Sequence, residues 1–210
     1  MLLKTVRDKE SLLQKHDVEA NLVGFLPKIN MSKWEELVTQ LSVVLPDTLR
    51  EIYVEETSGF IFKWNASKEK FGDSCKRGYL HFLSPEEIIV TYREMLEIVL
   101  ESRCSTEIGS NVGLQALVMD WPNWIPIMSF PNGDSFCIDV KRNLSIVFLE
   151  HDVMDGGPYI HGTTIAKNLE NLLDLWSQIA FTDVFDWSIC CTEDGIDLEN
   201  PMFRSIRSLR

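Results

Sequence analysis

The chain has 210 residues, 45% of them hydrophobic and 25% charged, with 20 Lys and Arg against 32 Asp and Glu for a formal net charge of -12. That profile describes a soluble globular protein with enough apolar material for a core that needs neither disulfides nor metal. No run of about 18 apolar residues exists, and Lys4, Arg7, Asp8, Lys9 and Glu10 stand where a secretory signal needs its apolar stretch, so neither a membrane span nor a cleaved leader is expected.

The five cysteines, Cys75, Cys104, Cys137, Cys190 and Cys191, form no C-x-x-C pair, which argues against a zinc site or a disulfide framework and for reduced thiols in the cytoplasm. Between residues 119 and 200 stand 14 acidic residues against three basic ones, Lys141, Arg142 and Lys167. Such a surface repels phosphate backbones, so direct nucleic-acid binding is not expected, while a basic protein partner is attracted and its encounter speeded.

In chain order, residues 5–20 are polar, with Val6, Leu12, Leu13 and Val18 as their main apolar positions, and read as a loosely docked helical extension. Ser32 and Glu35 are spaced as a capping box ahead of an amphipathic helix carrying Trp34, Leu37, Val38 and Leu41. Pro46 can open a second short helix, with Leu49, Ile52 and Tyr53 on one face and Gly59 ending it. Residues 60–64 and 78–83 read as strands. Ser84-Pro85-Glu86-Glu87 is a second capping box, with proline at the first helical position, and predicts a helix over 85–102.

The centre reads as β-rich, with strands expected at 116–120, 125–130, 134–140 and 144–149. Asn132-Gly133 and Arg142-Asn143 fit tight hairpin turns, so the strands form an antiparallel meander, since parallel crossovers need a dozen or more residues. A loop rich in Gly, Asp and His follows at 150–162. Thr163 or Thr164 is then the expected cap of a last helix carrying Ile165, Leu169, Leu172, Leu173, Trp176 and Ile179. From residue 181 the chain reads as a tail, acidic at first and basic at its end.

This order of elements and motifs resembles the SUKH superfamily, the group that includes the fungal cell-wall assembly regulator. The resemblance rests on Trp34 and Leu41, on Leu45-Pro46 with Leu49 and Tyr53, and on Gly59. It rests most on Trp124-Ile125-Pro126-Ile127, then Asn132-Gly133-Asp134, then Phe136-Cys137-Ile138-Asp139, with Ile146-Val147-Phe148 and Glu150-His151-Asp152 after them. It spans about residues 29–180 and implies three parts: an extension over 1–28, a SUKH-like domain over 29–181 and a tail over 182–210. The implied fold is α+β, a twisted antiparallel sheet flanked by helices, with Trp34, Pro46, Tyr53, Gly59, Trp124, Pro126, Gly133 and Asp134 as its fold-defining residues. The implied function is binding, not catalysis. Bacterial members are commonly immunity proteins that bind a cognate polymorphic or contact-dependent toxin domain, often a nuclease, in the producing cell, while other relatives are regulatory or scaffolding modules.

Two acidic stretches are the candidate toxin contacts. One is the 150–162 loop with Glu150, Asp152 and Asp155; the other is the tail with Asp183, Asp186, Trp187, Glu193 and Asp194, where an aromatic ringed by charge has the make-up of an interface anchor. Trp187 could equally dock back on the domain. His151 and His161 lie in the same loop but lack metal-ligand spacing, and no nucleophile elbow, phosphate loop, H-E-x-x-H or dinucleotide glycine pattern occurs. No catalytic residue, metal or cofactor is therefore expected.

Overall fold

The computed structural model describes residues 1–105, 112–151, 160–184, 186–192 and 195–209. Helix α1 (Leu2–Lys15) leads into strand β1 (Glu19–Leu26), and helix α2 (Met31–Leu41) is followed by α3 (Asp47–Glu51), which widens into a π turn over Ile52–Glu56. Strand β2 (Gly59–Asn65), the single-turn helix α4 (Lys68–Phe71), β3 (Arg77–Phe82), α5 (Pro85–Arg103) and α6 (Val112–Asp120) come next. The meander of β4 (Trp124–Ser129), β5 (Ser135–Asp139), β6 (Ser145–Leu149) and β7 (Thr164–Ala166) ends in α7 (Leu169–Gln178). The chain closes with a small hairpin, β8 (Cys191–Thr192) and β9 (Gly195–Ile196), and helix α8 (Arg204–Arg207). Strands β1 to β7 pair in sequence order, all antiparallel, in one seven-stranded sheet. The fold is α+β, as the resemblance implied.

The sheet buries one face over β2 to β6 and the start of β1. Ala20, Phe60, Phe62, Trp64, Leu80, Phe82, Phe136, Ile138, Ile146 and Phe148 alternate onto it and join Val6 and Leu13 of α1 and Leu172 and Trp176 of α7 in the main core. On the other face, Cys137, Val147 and Leu149 meet Met95 and Val99 of α5 and Leu117 and Val118 of α6, which cover the sheet over β4 to β6. Over β2 and β3 that second face carries Ile61, Lys63, Tyr79 and His81, all at least partly exposed. Alternation of this kind is what a half-covered antiparallel sheet requires.

Several expectations are corrected by the structure. Residues 116–120 belong to α6, not a strand, because Leu114, Leu117 and Val118 recur at helical spacing; a short apolar run does not distinguish the two states. Thr164 lies in β7, held by pairing with β6, and α7 begins later, capped by Asn168, whose side chain accepts from the Asn171 N–H. Helix α2 is capped by Asn30 and not by Ser32. Gly59 does not end a helix: it opens β2, where a Cβ would meet Leu26 and the Phe82 carbonyl.

Both chain ends differ from the loose segments the sequence suggests. β1 pairs with β2 as an edge strand of the same sheet, and α1 clips it, Glu10 accepting from the Leu22 N–H and Gln14 donating to the Ala20 carbonyl. Beyond α7 the chain runs along β3, Tyr79 N–H donating to Phe181 O and Asp183 N–H to Arg77 O. Gly78 makes that approach possible, since a side chain there would collide with the Trp64 indole, which reaches across to donate to the Ala180 carbonyl at 2.6 Å. Phe203 and Ile206 then return to the main core.

Candidate functional site

The meander brings the turn between β4 and β5 against the end of β6. Gly133, at φ +97°, lets the chain reverse there. The next residue, Asp134, is buried and fully engaged: Oδ1 accepts from His151 N at 3.0 Å and His151 Nδ1 at 2.8 Å, while Oδ2 accepts from Asn132 Nδ2 at 2.6 Å. Asp134 therefore fixes the β4–β5 turn and the strand end that carries Glu150 and His151. Trp124 does the same one corner away, its indole buried and donating to Asp139 Oδ2 at 3.1 Å.

The C-terminal segment arrives at the same corner. Trp187 is 2% exposed, packed on Phe136 at 5.1 Å and Phe130 at 5.6 Å between ring centroids. It is a core residue that pins the segment and not a surface anchor, because indole area is stabilised most by full burial. Pinned in this way, Asp186 stands exposed at the start of the short turn Trp187–Ile189, and Asp183 is nearly buried with Arg77 Nε 3.1 Å from its Oδ2. Asp183 is accordingly a partner of Arg77 and not a free surface charge.

Asp134 lies within electrostatic reach of both Glu150 and Asp183, and Asp186 within reach of Glu150. Burial raises the Glu150 carboxyl above its ordinary range, and Asp134 and Asp186 add to the rise. Asp183 is also raised, chiefly by burial, with Arg77 opposing and Asp134 adding. Beside them an open groove of about 520 Å³ is bounded by Asp73, Lys76, Arg77, Asp183, Asp186 and Ile189. Asp134 and Asp183 already hold His151 and Arg77, which leaves the partly buried Glu150 and the exposed Asp186 as the carboxylates that a cationic side chain could meet.

The two histidines of the 150–162 stretch part company. His151 is half-exposed and bound to Asp134, whereas His161 packs on Trp124 at 4.7 Å and on Trp121, with both ring nitrogens buried and without a side-chain partner among the described residues. Burial holds its pKa down to about 4. Among the described residues, no group of three or more His, Cys, Asp or Glu side chains could hold a metal ion. Nor is any helix among them long and apolar enough to cross a membrane. Of the sequence candidates, the structure brings together Glu150, Asp183 and Asp186 and places Trp187 in the core; Asp152, Asp155, Glu193 and Asp194 lie outside the described residues. Sequence reasoning missed Arg77 as the counter-ion of Asp183 and the Asp134–His151 pair, both made across more than 15 positions and carrying no local signal.

A seven-stranded antiparallel sheet with helices on both faces and a core of these tryptophans defines an α+β protein of the SUKH class. The family model described as SMI1 / KNR4 family (SUKH-1) matches residues 29–175, and the chain belongs to that family. The family includes toxin immunity proteins and is generally a non-enzymatic immunity or regulatory domain. No curated protein matches the chain.

Proposed function

We propose that this chain is an immunity protein that binds and neutralises a cognate polymorphic or contact-dependent toxin domain, a basic nuclease, in the cytoplasm of the producing cell. The observation that supports this most is the convergence of Glu150 and Asp186, from segments 36 positions apart, on one corner held rigid by Asp134 and Trp187. A nuclease grips its substrate with Lys and Arg, and an acidic surface that meets those residues first denies them to phosphate. Asp152, Asp155, Glu193 and Asp194 adjoin the same two segments in sequence and are proposed as toxin contacts on that ground alone; Trp187 and Asp183 support the corner from beneath.

A docked lysine or arginine would draw the raised Glu150 carboxyl back down, so binding releases a proton and strengthens as pH rises towards the raised value, and levels off once Glu150 is ionised in the free chain. The test is stopped-flow association with a basic toxin nuclease domain that the wild-type chain neutralises. The pair Glu150→Gln with Asp186→Asn should slow association by about tenfold and flatten its salt dependence, with little change in dissociation. Association that ignores both the substitutions and the salt would sink the charge mechanism.

A further inference from the structure

The longest helix, α5, carries all its glutamates on one side. At about 100° per residue, Glu86, Glu87, Glu94, Glu97 and Glu101 fall within an arc of about 100°, with exposed Val90 inside it and exposed Ile98 at its border. The buried Ile88, Met95 and Val99 lie on the opposite face, turned into the two cores. Two of the carboxylates have partners: Glu87 accepts from Ser84 N and sits 3.3 Å from His81 Nε2, and Glu86 sits 3.8 Å from Lys33. Glu94, Glu97 and Glu101 are exposed and make no ion pair among the described residues. The nearest cation on the helix, Arg93, is turned away onto Gln40, Nη2 to Oε1 at 2.9 Å.

Glu94 and Glu97, and Glu97 and Glu101, are like-charge neighbours at i,i+3 and i,i+4, an arrangement that works against the helix it sits on. A solvated helix face laced with salt bridges alternates its signs. This one is of a single sign along two turns and has the branched side chains of Val90 and Ile98 among its carboxylates. An apolar patch rimmed by one sign of charge fits a partner of the opposite sign with an apolar residue at the centre of its own surface.

We propose that the outward face of α5, formed by Val90, Glu94, Glu97, Ile98 and Glu101, is a docking surface for the toxin domain, and that its occupant is a basic helix or loop whose lysines or arginines flank an apolar side chain. This rests on the immunity reading and adds to the Glu150 and Asp186 corner a second contact on the same partner. Docking relieves the repulsion along α5, so the helix gains protection against amide exchange when the surface is occupied.

The first test uses the full chain and a labelled synthetic helical peptide with lysines around a central leucine, titrated at low salt. The triple variant E94Q/E97Q/E101Q should weaken binding by about tenfold, while the charge-matched triple E35Q/E51Q/E55Q should change it by less than about twofold. Gln and Glu have nearly equal helix propensity, so the melting temperature serves as the folding control. Carbodiimide labelling of the wild-type chain gives a readout free of mutation, with Glu94, Glu97 and Glu101 protected by the peptide. Equal losses in the two triples, or labelling unchanged at these three positions, would overturn the proposal in favour of diffuse net charge. A second test separates it from the parent reading. In cells expressing a basic toxin nuclease domain that the wild-type chain neutralises, E94K/E97K/E101K should lose protection; retained protection removes the α5 surface and leaves the immunity reading standing. A wild-type chain that neutralises no basic toxin domain fells the parent reading, while the peptide result still decides what α5 binds.

Discussion

His161 shows how the fold gives a single residue a property that the sequence does not carry. In the sequence it is one of two histidines in an acidic, glycine-rich loop and lacks metal-ligand spacing; in the fold its ring lies tilted against Trp124 at 4.7 Å, and among the described residues its nitrogens have no side-chain hydrogen-bond partner. Its pKa is depressed from 6.5 to about 4, so between those values the unfolded chain binds a proton that the folded chain refuses. Stability therefore falls as pH drops through that window and is unaffected by this group above it. From pH 7 to pH 5 the loss is about 2 kcal/mol. Asp183 and Glu150, whose carboxyls are raised, act in the opposite sense, favouring the folded state as they protonate, so the observed slope is the net of the two. Urea unfolding at the two pH values should show a smaller loss for His161→Phe than for wild type, since phenylalanine keeps the aromatic contact and removes the titration. An identical pH dependence in both proteins would mean that His161 takes up its proton while folded.

Among the elements, those legible in the sequence are the ones whose signals are local. Ser84 and Glu87 cap α5 reciprocally, Ser84 Oγ accepting from Glu87 N at 3.2 Å and Glu87 Oε2 from Ser84 N at 2.7 Å, as the spacing predicts. The turns at Gly133 and Asn143 are equally local, both at positive φ. β7 and β1 were not legible because each is a strand by virtue of its neighbour: Thr164–Ala166 is three residues long, and β1 is an exposed edge with only Ala20 buried along its length. Similarly, Asp183 reads as a free acid until β3 supplies Arg77. Ser84→Ala removes one half of the capping box and orphans the Glu87 N–H, for a cost of about 1 kcal/mol. Because Glu87 also faces His81, the same change loosens the carboxylate at the head of the acidic stripe. Thermal unfolding of Ser84→Ala against Ser84→Thr checks this, the threonine variant keeping most of the stability; equal losses in both would place the cost in packing and not in the cap.

At the scale of the molecule, the C-terminal segment closes the fold and positions part of its surface. Phe181 and Asp183 bond to β3, Cys75 N–H donates to Met202 O, Ser205 Oγ reaches Phe71 O, and Trp187 sits among Phe130, Phe136, Phe148 and Trp176. These contacts tie residues 181–206 to the first half of the sheet and to the meander at once, so the segment is held by both. Trp187 is the largest buried side chain of the segment, and Trp187→Ala should lower unfolding free energy by about 3–5 kcal/mol, the range for truncating a buried aromatic side chain. The loss should not remain local. With the pin gone, the bonds from Phe181 and Asp183 to β3 open more often, and amide exchange at Tyr79, whose N–H donates to Phe181 O, should rise while exchange in β5 and β6 keeps pace only with the global stability. Asp186 would then sample many positions, so Trp187→Ala should weaken binding of the proposed toxin domain without touching it, whereas Trp187→Phe should recover much of both stability and affinity. A Trp187→Ala protein with native exchange at Tyr79 and native affinity would show instead that the backbone bonds along β3 hold the segment alone, and that the position of Asp186 owes nothing to the core beneath it.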